Sequence, residues 1–166
     1  MVILRFSEWV TREYVQGLAE RRDGGGLLEA ADRFYDAQLL SEADIALRRA
    51  AEIFEDLGDR RGVAITLHQL AMIAQDRGDY DEAERLYRQS LKRKGDLGDR
   101  RGAATTKAAL AILMEGRGNL SEAAALMTEA LETFKSMGDP RASRAASDFL
   151  RILKKMGRSE GDSEAL

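Results

Sequence analysis

The chain has 166 residues, of which 44% are hydrophobic and 33% are charged, with a single proline and no cysteine. Its 26 basic and 29 acidic residues give a formal net charge of −3, which argues against a broad nucleic-acid surface rich in Lys and Arg. Without cysteine, disulfides, thiolate metal sites and cysteine nucleophiles are excluded. No apolar run approaches membrane-spanning length and no signal peptide is recognisable, so we expect a cytoplasmic protein, or a domain of a larger one, that makes no membrane contact.

The first predicted element is a helix over residues 7–22, in which Phe6, Val10 and Tyr14 share one side and Trp9 lies nearby. Three glycines follow at positions 24–26, with no Lys-Ser or Lys-Thr pair after them that would indicate a phosphate loop. We therefore predict an N-terminal helix and a flexible Gly-rich connection over residues 1–26. This helix could cap the fold, dock onto a second copy of the chain, or fold back and block the chain's own binding surface.

The segment from residue 27 onwards repeats itself every 40 residues. Residues 57–62 recur as 97–102, residues 78–83 recur as 118–123, and aligning 55–94 with 95–134 gives roughly 17 identities. Because a fixed period of this length is typical of solenoids, we predict three repeats, at residues 27–58, 59–98 and 99–139.

Each repeat is predicted to be an antiparallel pair of helices. In the second repeat, apolar residues fall on one helical face at i, i+3, i+4 and i+7, namely Leu67, Leu70, Ala71 and Ala74. Gly78 suits the left-handed residue after a helix end, and Asp79 suits the N-cap of the next helix. Gln38 replaces this glycine in the first repeat, so we expect that turn to be longer or less regular.

The pattern resembles the tetratricopeptide repeat family, in its 40-residue variant as found in kinesin light chains and bacterial signalling proteins. The residues that carry the resemblance agree between the second and third repeats: Leu70 and Leu110, Ala71 and Ala111, Gly78 and Gly118, Ala83 and Ala123, Tyr87 and Met127, Ser90 and Ala130. The resemblance implies an all-α fold, a right-handed α-solenoid of antiparallel helix pairs with about eight helices. It also implies that the first helices of successive repeats line a concave groove that binds other proteins.

The C-terminal segment is predicted to close the stack of repeats. Asp139 as N-cap and Pro140 at the first helical position predict a helix over residues 140–156. Arg151 occupies the position of the small Ala71 and Ala111, which indicates a capping helix that no partner helix follows. The polar, Gly- and Ser-containing residues 157–166 are predicted to be a disordered tail.

No residue pattern indicates catalysis, a metal site or a cofactor. His68 is the only histidine, and acid pairs such as Asp81 and Glu82 lie where helix-capping residues are expected. The arginine pairs at positions 60–61 and 100–101 begin helices, where the helix dipole does not favour cations. We therefore predict that these arginines contact acidic residues of adjacent repeats, and that the protein is not an enzyme.

The main hypothesis is a non-catalytic module that binds a peptide or helix of another protein in the groove. Helical register and the resemblance predict the groove residues Tyr35, His68, Gln69, Met72, Gln75, Asp76, Ala108, Ile112, Glu115, Phe149 and Ile152. Apolar residues at its centre and acidic residues at its rim, which include Asp32, Asp36 and Asp148, favour a ligand with apolar anchors and some basic residues. The alternative is a self-assembly or autoinhibition module acting through the N-terminal helix, and the sequence is compatible with a homo-oligomer.

Overall fold

The computed structural model describes the backbone of residues 2–164 and the side chains of residues 11–157. The described part of the chain is all-α, and its eight helices are α1 (Val2–Glu20), α2 (Gly24–Asp36), α3 (Leu40–Asp56), α4 (Arg60–Asp76), α5 (Tyr80–Asp96), α6 (Arg100–Gly116), α7 (Leu120–Ser136) and α8 (Arg141–Glu164). The chain divides within α5 into two compact units, Met1–Leu86 and Tyr87–Leu166. None of the described helices is both long enough and apolar enough to cross a membrane.

Helix pairing follows the predicted repeats within each unit. In the first unit, α2 packs against α3, α3 packs against α4, and α1 contacts both α2 and α3. In the second unit, α7 packs between α6 and α8. The predicted apolar stripe of α4 is largely buried, with Leu70, Ala71 and Ala74 at most 8% exposed and Leu67 half-buried. The small alanines let the paired helices approach closely, which is the physical reason for the repeat pattern.

The joints between helices are regular. The glycines Gly58, Gly78, Gly98, Gly118 and Gly138 all have φ between 61° and 81°, the left-handed conformation that ends a helix. Gln38 adopts the same conformation at φ 61°, and its neighbour Leu39 donates from its backbone N to the Phe34 carbonyl at 2.8 Å. The expectation that this turn would be longer or less regular was therefore wrong, because a side chain at this position strains the turn without changing its geometry.

Side-chain caps begin several of the helices as predicted. Asp99 Oδ1 accepts a hydrogen bond from the Gly102 backbone N at 2.9 Å. Asn119 both accepts from the backbone N of Glu122 and donates to its carboxylate, an exchange that satisfies the first turn of α7. The predicted structural role is confirmed for Arg101, whose guanidinium lies 3.2 Å from the buried carboxylate of Asp139, 38 positions further along the chain.

The predicted flexible connection at residues 24–26 was wrong. These glycines form the first turn of α2, and Asp23 caps this helix by accepting from the Gly26 backbone N at 2.8 Å. A Cβ on Gly24 would lie 2.7 Å from the ring of Phe54, so the absence of a side chain makes room for helix packing. The N-terminal helix is also longer than predicted at its start, since α1 begins at Val2.

The C-terminal helix differs from its predicted boundaries. It begins at Arg141, one residue after Pro140, and Asp139 accepts a hydrogen bond from the Arg141 backbone N at 3.0 Å. It ends at Glu164, so residues 157–164 are helical where a disordered tail was expected. Apart from two glycines this segment consists of residues that tolerate a helix, and it contains no proline to stop one. Residues 165–166 lie outside the described residues.

Candidate functional site

The predicted groove residues of the first unit lie on α2 and α4, which two hydrogen bonds between side chains join. Gln69 Nε2 donates to Asp32 Oδ1 at 2.6 Å. Tyr35 Oη donates to Asp76 Oδ2 at 2.5 Å. The helices α2 and α4 are the first helices of successive repeats, on which the sequence predicts ligand binding. The two hydrogen bonds therefore help to set the spacing of these helices.

A cleft of about 70 Å³ lies between these helices. Its lining combines an apolar floor with three polar side chains: Ala31, Leu47, Met72, Ile73, Asp32, Tyr35 and Gln69. Oε1 of Gln69 is buried and, among the described residues, accepts no hydrogen bond. A buried acceptor without a donor costs free energy, so this amide oxygen would gain from a donor that a ligand brings. We call this cleft, together with the neighbouring Asp76, the Gln69 cleft.

Negative charge surrounds the Gln69 cleft. Burial and the nearby carboxylate of Asp36 raise the pKa of Asp32 above its ordinary value. Donation to Asp76, burial and the neighbouring carboxylates raise the pKa of Tyr35 to about 12. Among the described side chains, no Lys or Arg forms an ion pair with Asp32, Asp36 or Asp76. The carboxylates that contribute to both shifts disfavour further negative charge here and attract a cation.

The remaining predicted residues of α4 are accessible in part. His68, Met72 and Gln75 are half-buried, and Ile65 on the same helix is 38% exposed. Met72 lies on the floor of the Gln69 cleft. His68 and Gln75 also interact with other groups of the protein.

In the second unit, Ala108, Ile112 and Phe149 are half-buried on α6 and α8. Ile152 is completely buried and belongs to the core, so its assignment to the groove was wrong. One apolar side chain on this helix had to fill the space against its neighbours, and register alone did not distinguish Ile152 from Phe149. Among the described residues, no cluster of three or more His, Asp and Glu side chains could hold a metal ion.

Glu115 is also not a free acidic residue of a groove rim. It is 7% exposed, and its carboxylate accepts two hydrogen bonds from Arg151, at 2.9 and 2.7 Å, and lies 2.7 Å from Lys155 Nζ. These contacts, led by those of Arg151, lower the pKa of Glu115 to about 2. Arg151 pairs with Asp148 as well. The charge of Glu115 therefore holds α8 against α6, whereas that of Asp148 is paired within α8, and neither is available to a ligand.

Sequence reasoning missed a second cleft, of about 230 Å³, between α1 and α3. Its lining is Thr11, Arg12, Val15, Gln16, Ala19, Glu42, Ile45 and Arg49. Ile45, which is 43% exposed, was a signal, since the equivalent position of α5 holds the charged Arg85. The cleft was missed because the partner helices of α1 could not be read from the sequence.

The fold and the repeat pattern define the chain as an all-α repeat protein of the solenoid class. A family model described as Tetratricopeptide repeat matches residues 27–96 and 63–136, and the chain belongs to this family. Members of this fold class are protein–protein interaction modules, and the resemblance inferred from the sequence is confirmed. No curated protein matches the chain.

Solved structures support the fold. BtubC (BKLC) from P. vanneervenii has a TM-score of 0.76 and 22% identity, over 89% of this chain and 64% of that one. A Rap protein complexed with Competence and Sporulation Factor has a TM-score of 0.76 and 15% identity, over 96% of this chain and 49% of that one. A kinesin-light-chain-type protein with nearly identical TPR-like repeats from Podosopora anserina has a TM-score of 0.70 and 18% identity, over 84% and 69%. The chain thus spans between about half and two thirds of these structures.

Proposed function

We propose that the protein is a non-catalytic binding module that holds a peptide or helix of a partner protein on the first helices of its repeats. The Gln69 cleft supports this proposal, because its free hydrogen-bonding groups are acceptors and its floor is apolar. A ligand that fits must combine an apolar contact to Met72 with a cationic donor. An arginine side chain has both properties, since its stem is apolar and its guanidinium carries five N–H donors.

The similarity to a Rap protein solved with Competence and Sporulation Factor supports the use of this fold for holding a ligand. That protein shares only 15% identity with this chain, so the ligand class proposed here depends on the cleft and not on the similarity. Ala108, Ile112 and Phe149 in the second unit stay predicted contributors of apolar contacts, and the variants below test the two units separately.

The test uses fluorescein-labelled peptides in which apolar residues flank a single Arg, Lys or citrulline. Citrulline keeps the shape of arginine but removes its charge, so we expect the arginine peptides to bind most tightly. Asp76→Asn and Met72→Glu should each weaken binding by at least about tenfold, measured by fluorescence anisotropy at low salt. Ile112→Glu reports separately on the second unit.

Asp96→Asn, which removes an exposed carboxylate from α5, is the matched control and should leave the affinity unchanged. Circular dichroism checks that each variant stays folded. Equal binding of the arginine and citrulline peptides would contradict the cationic specificity. Equal binding by wild type, Met72→Glu and Ile112→Glu would contradict the assignment of function to these helices.

The self-assembly alternative depends on α1. In the structure Val15 and Leu18 are buried at 6% and 4%, and α1 packs on α2 and α3 of the same chain. The side chains of Phe6, Trp9 and the other apolar residues before Thr11 lie outside those described. Deletion of residues 1–23 tests the alternative: conversion of a dimer to a monomer would support self-assembly, a gain in peptide binding would support autoinhibition, and aggregation would identify α1 as a structural cap.

A further inference from the structure

Two leucines of α8 are exposed at positions where the preceding repeat buries its apolar side chains. With the 40-residue period, Leu150 and Leu153 of α8 correspond to Leu110 and Leu113 of α6. Leu110 and Leu113 are 0% and 2% exposed, and α7 packs against α6. Leu150 and Leu153 are 65% and 41% exposed. The helix α8 therefore has leucines at the positions that are buried in α6, the first helix of the preceding repeat, but here they are exposed.

The charges beside these leucines are positive. Residues 141–157 contain five basic residues and one acidic residue. The acidic one, Asp148, is buried and pairs with Arg151. Arg144 keeps 85% of its side chain exposed but lies 3.9 Å from the Asp148 carboxylate. Lys154 is exposed and has no carboxylate partner among the side chains that the structure describes. The surface formed by Leu150, Leu153 and Lys154, which we call the α8 face, is thus apolar with a cation at its edge.

The pairing of α6 with α7 shows which kind of helix suits such a face. Lys107 of α6 lies 2.5 Å from the carboxylate of Glu129 on α7, so a cation on the first helix meets an acid on the second. Within residues 120–136, α7 carries three glutamates and one lysine. Lys154 has no such acid opposite it among the described side chains, so an acidic helix complements this face.

We propose that the α8 face is a docking surface for an acidic amphipathic helix of a partner protein. The apolar side of that helix covers Leu150 and Leu153, and its carboxylates pair with Lys154. Arg151 replaces the small alanine that lets α7 approach α6 closely, so the partner helix lies farther from α8 than α7 does from α6. Arg151 itself is held by Glu115 and Asp148 and does not compete for the carboxylates.

A synthetic peptide with the sequence of residues 120–136 serves as the probe, because it is an acidic helix of the required pattern within this chain. We expect the labelled peptide to bind the full-length protein and the affinity to fall as salt is raised, since the charge pairs are exposed. Leu150→Ser with Leu153→Ser should weaken binding by about tenfold or more. Lys154→Glu should weaken it at low salt by at least about threefold.

Leu57→Ser, at a leucine that is 62% exposed in the first unit, is the control and should bind as wild type does. A peptide with its three glutamates replaced by lysine should bind far more weakly. Equal affinity of wild type and the double leucine variant, or equal affinity for both peptides, would overturn the proposal. A wild-type dimer that the double leucine variant converts to a monomer would overturn it too, in favour of a second copy. Met72→Glu should not affect this peptide, so the proposal stands or fails independently of the Gln69 cleft.

Discussion

At the scale of single residues, position 94 holds a charged side chain where the repeat pattern has a buried aromatic ring. The equivalent positions of the neighbouring repeats hold Phe54 and Phe134, both buried, whereas α5 holds Lys94. Lys94 is only 5% exposed, and its Nζ donates to Thr106 Oγ1 at 2.9 Å. Burial lowers the pKa of Lys94, because an ammonium group is poorly solvated there. This residue therefore stabilises the fold less than an aromatic ring would.

Replacing Lys94 by Phe should raise the free energy of unfolding by about 2 kcal/mol at neutral pH, since it removes a buried charge and adds apolar burial. The sign of the pH dependence follows from the lowered pKa. The cost of Lys94 is full below its folded-state pKa and is relieved as the pH rises towards the ordinary value of 10.5. Urea unfolding should therefore show a smaller gain near that pH.

Lys92→Phe, at an exposed position of the same helix, is the control and should gain little. A destabilised Lys94→Phe protein would mean that the hydrogen bond to Thr106 contributes more than the burial of charge costs.

Two helical glycines should respond in opposite directions to the same substitution. A Cβ on Gly62 would lie 2.5 Å from the ring of Phe54, so Gly62→Ala should lower the free energy of unfolding by about 2 kcal/mol. Gly95 has no neighbouring atom within 4 Å of that position, and Gly95→Ala should raise it by about 0.8 kcal/mol through helix propensity. Urea titration of both variants measures the contrast. Stabilisation at both sites would show that propensity outweighs packing, and destabilisation at both would contradict the gain expected at Gly95.

At the scale of helices, ion pairs attach the last helix to its neighbour. Arg151 and Lys155 of α8 reach Glu115 of α6, and Arg141 donates to Thr105 of α6 at 2.6 Å. The sequence had marked Arg151 only as a side chain too large for its position. The structure gives the positive reason for it, which is a planar guanidinium that binds one carboxylate of α6 through two hydrogen bonds.

Glu115→Gln should lower the free energy of unfolding by about 2 kcal/mol at neutral pH, because it removes charge-assisted hydrogen bonds from a buried group. Since the folded-state pKa is lowered from 4.5 to about 2, the contribution of Glu115 is complete above 4.5 and is lost as the pH falls towards 2. Unfolding measured across this range should show wild type and variant converging. Glu129→Gln, which breaks an exposed pair with Lys107, should cost less than about 0.5 kcal/mol.

The elements that followed a local rule were predictable, and those decided by distant contacts were not. Repeating Gly and Asp residues located the joints of α4 to α7 because each rule acts within a few residues. The prediction of a flexible connection at residues 24–26 was wrong because the ring of Phe54, about 30 residues away, leaves no room for a Cβ on Gly24. The prediction of a less regular turn at Gln38 was wrong because the free-energy cost of a left-handed side-chain residue is small enough for the surrounding packing to offset.

At the scale of the whole molecule, repeat contacts mostly join neighbours, so sites far apart in the chain should act independently. Gln38→Gly should stabilise by about 1 kcal/mol by relieving a left-handed side-chain residue. Combined with Lys94→Phe it should give the sum of the two gains, within about 0.5 kcal/mol. Urea unfolding of the single and double variants measures this. A marked departure from additivity would show coupling between the first and second repeats.

The class of fold and of function could be predicted from the sequence, but the lining of the Gln69 cleft only in part. Register located Met72 and Gln69 because a helix presents side chains at regular angles. Helical register could not show that Ile152 is in the core or that Glu115 is paired with Arg151, since both depend on which side chains approach from the neighbouring helix. The exposed leucines of α8 were likewise invisible until burial distinguished them from their counterparts in α6.

The five helices α3 to α7 have 17 residues each, and three residues join one to the next. The backbone therefore repeats every 20 residues, whereas the side-chain pattern repeats every 40. Duplicating residues 60–99 would preserve both counts and extend the array by a full repeat. Duplicating residues 60–79 would preserve every joint but would place two first helices next to each other. The array can therefore be lengthened only by even multiples of 20 residues.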